Sequence, residues 1–275
     1  MPRLDRLRVY PVKSLNGIDL EAADVLDGGT LAHDREFALF DRDALRSTAD
    51  GTDPDPADSD VVINGKRTAR VHDLRTDFDP ETGVLVVEPT DGETASFDLE
   101  SAAGRDRAAS WFGEFFDEDV SLERNRTCGY VDRPGTGPSV ISTATLETVA
   151  DWFDDVTVEG ARRRLRPNLE ISGVEPFWED RFVGADAPAF EIGGVRLEGV
   201  TPCNRCVVPE RDPDTGDATP QFRERFVEKR RETFPDWADE DAFDHYYATM
   251  LIARVPESDR GKTVRSGDPV DVVDS

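Results

Sequence analysis

The apolar residues of this chain come in short runs, and that division limits what it can build. Leu7 and Val9 alternate with polar neighbours ahead of Pro11, residues 36–41 and 83–88 are brief apolar runs, and residues 94–99 alternate weakly. Residues 168–171, 190–200, 247–255 and 269–273 have the same strand character, with Gly193-Gly194 marking a hairpin turn inside the second of these. Three stretches read as helices. Residues 101–116 carry Ala108, Trp111, Phe112, Phe115 and Phe116 on one face. Residues 142–153 start at a Ser142 cap and place Leu146, Val149 and Phe153 on one side. Residues 221–231 are highly charged and follow Pro220. The expectation is a β-rich, mixed α+β fold with barrel-like character.

The stretch 132–138 contains Pro-Gly and Gly-Pro steps and reads as a turn-rich joint. A domain division is expected near it, residues 1–125 forming one unit and 126–275 the other. Residues 50–60 are rich in Asp, Pro and Gly and are expected to form an exposed, mobile loop. No repeat is evident.

Charge narrows the function classes. The formal net charge is -26, and Lys occurs only at positions 13, 66, 229 and 262. Strand and helix periods along most of the chain argue against an acidic disordered protein. A folded protein with a surface suited to very high salt fits better, because at molar salt the Debye length falls to roughly 3 Å and self-repulsion is screened. The expected setting is a salt-rich cytoplasm, as in halophilic archaea. Nucleic acid is excluded as the main partner by the lack of a long basic stripe. No apolar run reaches the roughly 20 residues of a bilayer-spanning helix, and the N-terminus lacks a signal-peptide core, so no membrane association is expected. Arg162, Arg163, Arg164 and Arg166 form a dense basic run. It suits either a local anionic ligand or salt bridges to the surplus carboxylates, and spacing does not choose between them.

Cys203-Asn204-Arg205-Cys206 is the strongest local signal, and with Cys128 the cysteines are too few for a disulfide framework. A structural zinc site would need about four ligands, yet only Cys128, His33, His72 and His245 remain as thiol or imidazole donors. A thioredoxin-like pair should open a helix, which Val207-Val208-Pro209 disfavours. Two buried core thiols are the plain alternative. The fourth reading is a soft thiolate ligand to a redox metal, with Arg205 beside it to hold an anionic group. The motif alone does not decide.

Its context does. Tyr10-Pro11-Val12-Lys13-Ser14 with Gly17 is followed by His33-Asp34-Arg35. Later come Arg166-Pro167-Asn168, the cysteine motif, Asp212-Pro213-Asp214-Thr215-Gly216 and Gly267-Asp268-Pro269-Val270. In order and spacing this series resembles the MOSC superfamily over nearly the whole chain. The likeness is to the group with an added N-terminal β-barrel, which includes the mitochondrial amidoxime-reducing component and its bacterial relatives.

The resemblance implies an N-terminal barrel and a MOSC barrel sharing an interface, with a molybdenum cofactor between them. It puts the metal-ligating and catalytic thiolate on Cys206, not Cys203. It puts cofactor contacts on Lys13, Ser14, Arg35, Arg166, Asn168, Asn204 and Arg205, with Thr136 in a region of hydroxyl-bearing contacts. Met250 falls where the family often has a Tyr. It also implies a reductase of small N-hydroxylated compounds, or alternatively a carrier of cofactor or sulfur, and leaves pyridoxal phosphate binding undecided; the lack of a signal-peptide core and of a spanning run reads as cytoplasmic. No cysteines remain for an iron–sulfur cluster, so a reductase would need a separate electron donor such as a ferredoxin-like protein. Outside the series, His33 reads as structural, residues 212–216 as a turn, and Cys128 as a buried small residue.

Overall fold

The structure is a computed structural model that describes residues 1–47, 55–58 and 60–274. In chain order it runs β1 (Arg3–Val9), β2 (Ile18–Leu20), β3 (Ala22–Asp24), β4 (Phe37–Asp41), α1 (Arg42–Ser47), β5 (Leu74–Asp79), β6 (Val84–Pro89), β7 (Ala95–Asp98), α2 (Ala102–Phe116) and β8 (Val120–Arg124). It continues through β9 (Ser139–Ser142), α3 (Thr143–Asp151), α4 (Val158–Leu165), β10 (Leu169–Ser172), β11 (Ala189–Ile192), β12 (Val195–Asn204), α5 (Phe222–Glu232), β13 (Ala248–Arg254), β14 (Thr263–Arg265) and β15 (Val270–Val273). The mixed, strand-rich class expected from the apolar pattern is the one observed.

Local chemistry explains the element ends. Ser101 caps α2 by accepting from the Gly104 amide, and Ser142 caps α3 by accepting from the Thr145 amide at 3.0 Å. Gly193 and Gly194 take φ of 58° and 83°, the left-handed pair that a two-residue hairpin between β11 and β12 requires. The short helix α4 lies beneath the basic run and is not visible as a pattern, because its buried residues are only Ala161, Arg164 and Leu165. Of the expected 50–60 loop, residues 50–54 and 59 lie outside the described residues.

An eight-stranded sheet orders β15-β11-β12-β13-β9-β10-β1-β2. Its pairings join distant parts of the chain: β1 runs antiparallel to β10, with Leu7 opposite Leu169. A bridge between Arg3 and Pro269 ties β1 back to the chain entering β15, where Leu4 N donates to Asp268 O at 2.9 Å and Gly267 N to Leu4 O at 2.7 Å. The sheet is thereby drawn round toward a ring. β3 pairs with β14 near the far end of the sequence. Strands from the first quarter thus pair with strands from beyond residue 126.

The apolar interior divides accordingly. Leu4, Leu7 and Val9 pack with Val140, Leu169, Phe190 and Leu251 inside the large sheet. Phe37, Leu39, Phe78, Leu85 and Phe112 form a second core between β4–β8 and α2. A third joins α3, α4 and α5 around Leu146, Leu165, Trp152 and Phe226. The loops that leave these three cores converge on one cavity.

Candidate functional site

That cavity has a volume of about 420 Å³. Its walls come from the segment after β1, the loop before β4, the turn before β5, the joint before β9, the end of α4 and the end of β12. All nine residues expected at a site lie in its lining: Lys13, Ser14, Arg35, Thr136, Arg166, Asn168, Asn204, Arg205 and Cys206. Ten lining side chains are basic and two, Asp34 and Asp132, are acidic. In a chain of net charge -26 that is a local reversal of sign.

The centre of one wall is Tyr10. Arg166 lies over its ring at 3.9 Å from the centroid, and Arg35 stands 5.1 Å from the same centroid. Asp34 fixes this corner: Oδ1 accepts from the Tyr10 amide at 3.0 Å, and Oδ2 accepts from Arg35 Nη1. Gly17 is required beside it, since a Cβ there would come within 2.7 Å of Tyr10 Cε1. Burial pushes the Tyr10 phenol above its ordinary range, against the pull of Arg166, Arg8 and Arg35.

The basic run 162–166 divides between the two roles open to it. Arg162 pairs with Glu170 and Glu159, Arg163 with Asp214, and Arg164 with Asp212. Arg166 pairs with no carboxylate among the described residues. It donates from Nη2 to Leu15 O at 2.8 Å, and burial lowers its pKa to about 10. Arg133, Arg205 and Arg211 likewise form no ion pair among the described residues, and the Nε atoms of Arg205 and Arg211 are buried without a partner. Uncompensated guanidinium groups in a shielded cavity are a binding surface for an anion.

Lys13 is held differently. Its Nζ donates to Tyr130 O at 2.8 Å and to Asp132 Oδ1, while Lys66 approaches Asp132 Oδ2 at 3.6 Å. Burial depresses the Lys13 ammonium and Asp132 opposes that. On the other partner burial is outweighed by Lys13 and Lys66, and the Asp132 carboxyl falls to about 2. The direct contact favours the ionised form of both partners.

Asn168 is largely committed within the fold. Its Oδ1 accepts from Ser139 N and Oγ, and Nδ2 donates to Arg8 O, which leaves one Nδ2 hydrogen for a ligand. Asn204 donates to Asp244, and the Thr136 hydroxyl donates to Arg133 O at 2.7 Å. Ser14 and Met250 line the cavity with φ of 73° and 72°.

Both motif cysteines line the cavity, and they differ in burial and in their neighbours. Cys203 is 8% exposed, belongs to the third core, and its sulfur accepts from Arg205 Nη1 at 3.0 Å. Cys206 is half-buried in the cavity wall. A 3-10 turn at Val208–Glu210 follows instead of an α-helix, so the thioredoxin-like arrangement does not form. Among the described residues no three of His, Cys, Asp and Glu converge, so a metal at Cys206 would need ligands that the described protein residues do not supply. His33 lies outside the cavity, against Glu36 at 3.2 Å, and residues 212–216 form the expected turn on Asp212. Cys128 corrects its expectation: it is half-buried, beside Asn125, because it sits on an exposed turn.

Residues 1–158 match the MOSC N-terminal beta barrel domain, and residues 135–271 match the MOSC domain. The chain belongs to the MOSC family. This MOSC protein is 24% identical over 250 residues to mitochondrial amidoxime reducing component 2 of Bos taurus, covering 78% of this chain and 67% of that one. It is 25% identical over 260 residues to molybdenum cofactor sulfurase of Oryza sativa subsp. japonica, covering 78% of this chain but only 29% of the sulfurase. Among solved structures, YiiM from Geobacillus stearothermophilus gives a TM-score of 0.33 at 11% identity, over 50% of this chain and 54% of that one, a likeness too slight to bear on the site.

Sequence reasoning did not single out Tyr10, His72, Asp132 or Arg211 as site residues. Tyr10 lay inside the quoted motif. His72 and Arg211 stand in turns with no periodic signal, and only the fold brings them to the cavity.

Proposed function

We propose that this MOSC protein binds a molybdenum cofactor in the cavity and reduces small N-hydroxylated compounds, such as amidoximes or hydroxylaminopurines. The observation that carries the reading is the set Arg133, Arg166, Arg205 and Arg211: four guanidinium groups without carboxylate partners among the described residues, lining the cavity that Cys206 also lines, in a chain with a large excess of acid. The relatives named for amidoxime reduction and for molybdenum cofactor chemistry support it.

The donor set suits such a group. A pterin phosphate is an anion for the unpaired arginines, polar ring edges fit Ser14, Thr136 and the free hydrogen of Asn168, and a soft thiolate suits the metal. Bound there, the cofactor would supply the two-electron chemistry that turns N–OH into N–H and water with uptake of two protons. The protein's part is positioning. Cys206 lies two residues beyond the end of β12, in the cavity wall. The contact of Arg205 Nη1 with Cys203 Sγ and of Nη2 with Leu165 O, at 2.9 Å, holds that guanidinium in place. Electrons would come from a separate, ferredoxin-like protein that docks weakly at the cavity mouth. No helix among the described residues is long and apolar enough to cross a membrane, and we place the protein in the cytoplasm.

The relative named as a sulfurase favours a second reading, a carrier that holds cofactor or sulfur and passes it on. One experiment separates the two. Purified protein, its molybdenum content measured after dialysis, is given a chemical reductant and an amidoxime. Turnover with retained metal supports the reductase; no turnover at full metal loading, with a persulfide on Cys206 by mass spectrometry, supports the carrier.

A further inference from the structure

Only four of the 33 Lys and Arg residues are lysines. Arginine is this chain's ordinary cation, and the two differ in one chemical respect: a guanidinium keeps its proton, whereas an ammonium can release one. Lys229 and Lys262 stand outside the cavity lining, in i,i+3 pairs with Glu232 and Asp259. Lys13 and Lys66 both line the cavity and meet on one carboxylate, Asp132. They are held to different degrees. The Lys13 side chain is 7% exposed and commits two hydrogens to Tyr130 O and Asp132 Oδ1. The Lys66 side chain is 32% exposed, approaches Asp132 Oδ2 only to 3.6 Å, and its Nζ makes no hydrogen bond among the described residues. The backbone beneath it is fixed, since the buried Asn64 accepts from the Lys66 and Arg67 amides at 2.9 and 3.0 Å. The cluster adjoins the cysteine motif on two sides. A Cβ on Gly65 would lie 3.2 Å from Val208 Cγ2, two residues beyond Cys206, and Arg133, next to Asp132, places Nη1 3.9 Å from Cys203 Sγ.

We propose that Lys66 is the proton donor of the reduction: its ammonium, anchored beside Asp132, gives a proton to the hydroxyl oxygen of an N-hydroxylated substrate as the N–O bond breaks. The inference rests on the reductase reading. Two electrons from the reductant named there and two protons turn N–OH into N–H and water. Lys66 supplies the proton that makes hydroxide leave as water, solvent supplies the one that ends on nitrogen, and the resulting amine takes a proton back from solvent, which a side chain one-third exposed can reach. Protonation of a poor leaving group is what a general acid contributes to such a step. Asp132 is a positioning residue here. Lys13 fixes it through Oδ1, and Oδ2 holds the Lys66 charge nearby without taking a hydrogen bond from it. Other proton carriers in the lining are engaged: the Tyr10 hydroxyl donates to Pro167 O at 3.2 Å and the Thr136 hydroxyl to Arg133 O.

Arginine in place of Lys66 keeps the charge and removes the releasable proton. Lys66→Arg should hold molybdenum at the wild-type level, yet its amidoxime turnover per bound metal should fall at least about a hundredfold, the range for loss of a general acid. Lys66→Ala should show the same loss, and added ethylamine should restore turnover in proportion to its concentration, which a merely structural lysine would not allow. A third measurement needs no turnover. In metal-loaded protein without reductant, an amidoxime should shield Lys66 from acetylation, read by mass spectrometry, and leave Lys229 and Lys262 labelled as before. Unimpaired Lys66→Arg, absence of amine rescue, or an unshielded Lys66 overturns the proposal while wild-type turnover keeps the reductase reading intact. No turnover by fully loaded wild-type protein overturns both.

Discussion

The Arg166 guanidinium is stacked on the Tyr10 ring, 3.9 Å from its centroid, from a backbone position that glycine usually fills. Arg166 ends α4 in the left-handed conformation, φ 58°, and its amide donates to Arg162 O. Ser14, Arg35 and Met250, also in the cavity lining, share this uncommon backbone region. Left-handed residues other than glycine cost energy and persist where the surroundings fix them, and such sites are often functional. Here all four residues line the cavity.

Replacing Arg166 tests its role most directly. Arg166→Gln should cut molybdenum content at least about tenfold, as expected for loss of a charge-assisted contact in a shielded site. Stability of the metal-free protein should change by no more than about 1 kcal/mol, since the buried cation lacks a carboxylate partner to lose. Metal analysis and urea unfolding check both halves. A large stability loss with normal metal content would make Arg166 structural.

The cysteines should separate under the same analysis. Cys206→Ala is expected to abolish molybdenum retention with little effect on folding, because the residue is half-buried in the cavity wall. Cys203→Ala should keep most of the metal and lose about 1 to 2 kcal/mol of stability, as for a small core truncation. Equal metal loss in both variants would remove Cys206 from its assigned position.

Asp132→Asn should weaken the protein at neutral pH and leave it nearly unchanged near pH 2. The wild-type carboxyl titrates near its ordinary 3.8 when unfolded and at about 2 when folded. Its stabilising share is therefore fully present above the first value and is lost as pH falls toward the second. Denaturant titrations at neutral pH and in acid measure the difference. A gap between variant and wild type that stays constant with pH would show that the Lys13 contact contributes nothing electrostatic.

Glu179 offers a control far from the cavity lining. Its carboxyl group is buried beside Asp180, and Oε1 has no partner among the described residues. Burial first, then Asp180, raise its pKa well above the carboxylate range, against hydrogen bonds from Thr145 and the Ser142 amide. A raised folded pKa gives stability that is complete below the ordinary value of 4.5 and declines as pH rises through neutrality. Glu179→Gln should flatten that decline and unfold at a higher temperature than wild type under mildly alkaline conditions. Parallel curves for the two proteins would mean Glu179 is ionised in the fold.

Much of the architecture could be read from local pattern. Alternation in β1, the Ser101 and Ser142 caps and the paired glycines before β12 each act over a few residues, so sequence shows them. Helix α4 was hidden because its buried face is short and includes Arg164 of the basic run, so no apolar period marks it. The pairing of β1 with β10 was hidden because strand partners far apart leave no mark on either segment. The candidate site was legible where residues sit in motifs, as Lys13, Arg166 and Cys206 do. The division of labour within the 162–166 run was not, since it depends on which carboxylates the fold brings near. His72 and Arg211 had no local signal at all.

The bridge from Arg3 to Pro269 has a bearing on synthesis. A growing chain emerges from its N-terminus, so β1 has no long-range neighbour until β10 has been made, and its second tie waits for the segment around Pro269. Pairings of this span are slow to form. Lys13 and Arg35 therefore meet Arg166 and Cys206 only after residue 206 has been made, and the full cavity lining is present no earlier than residue 252.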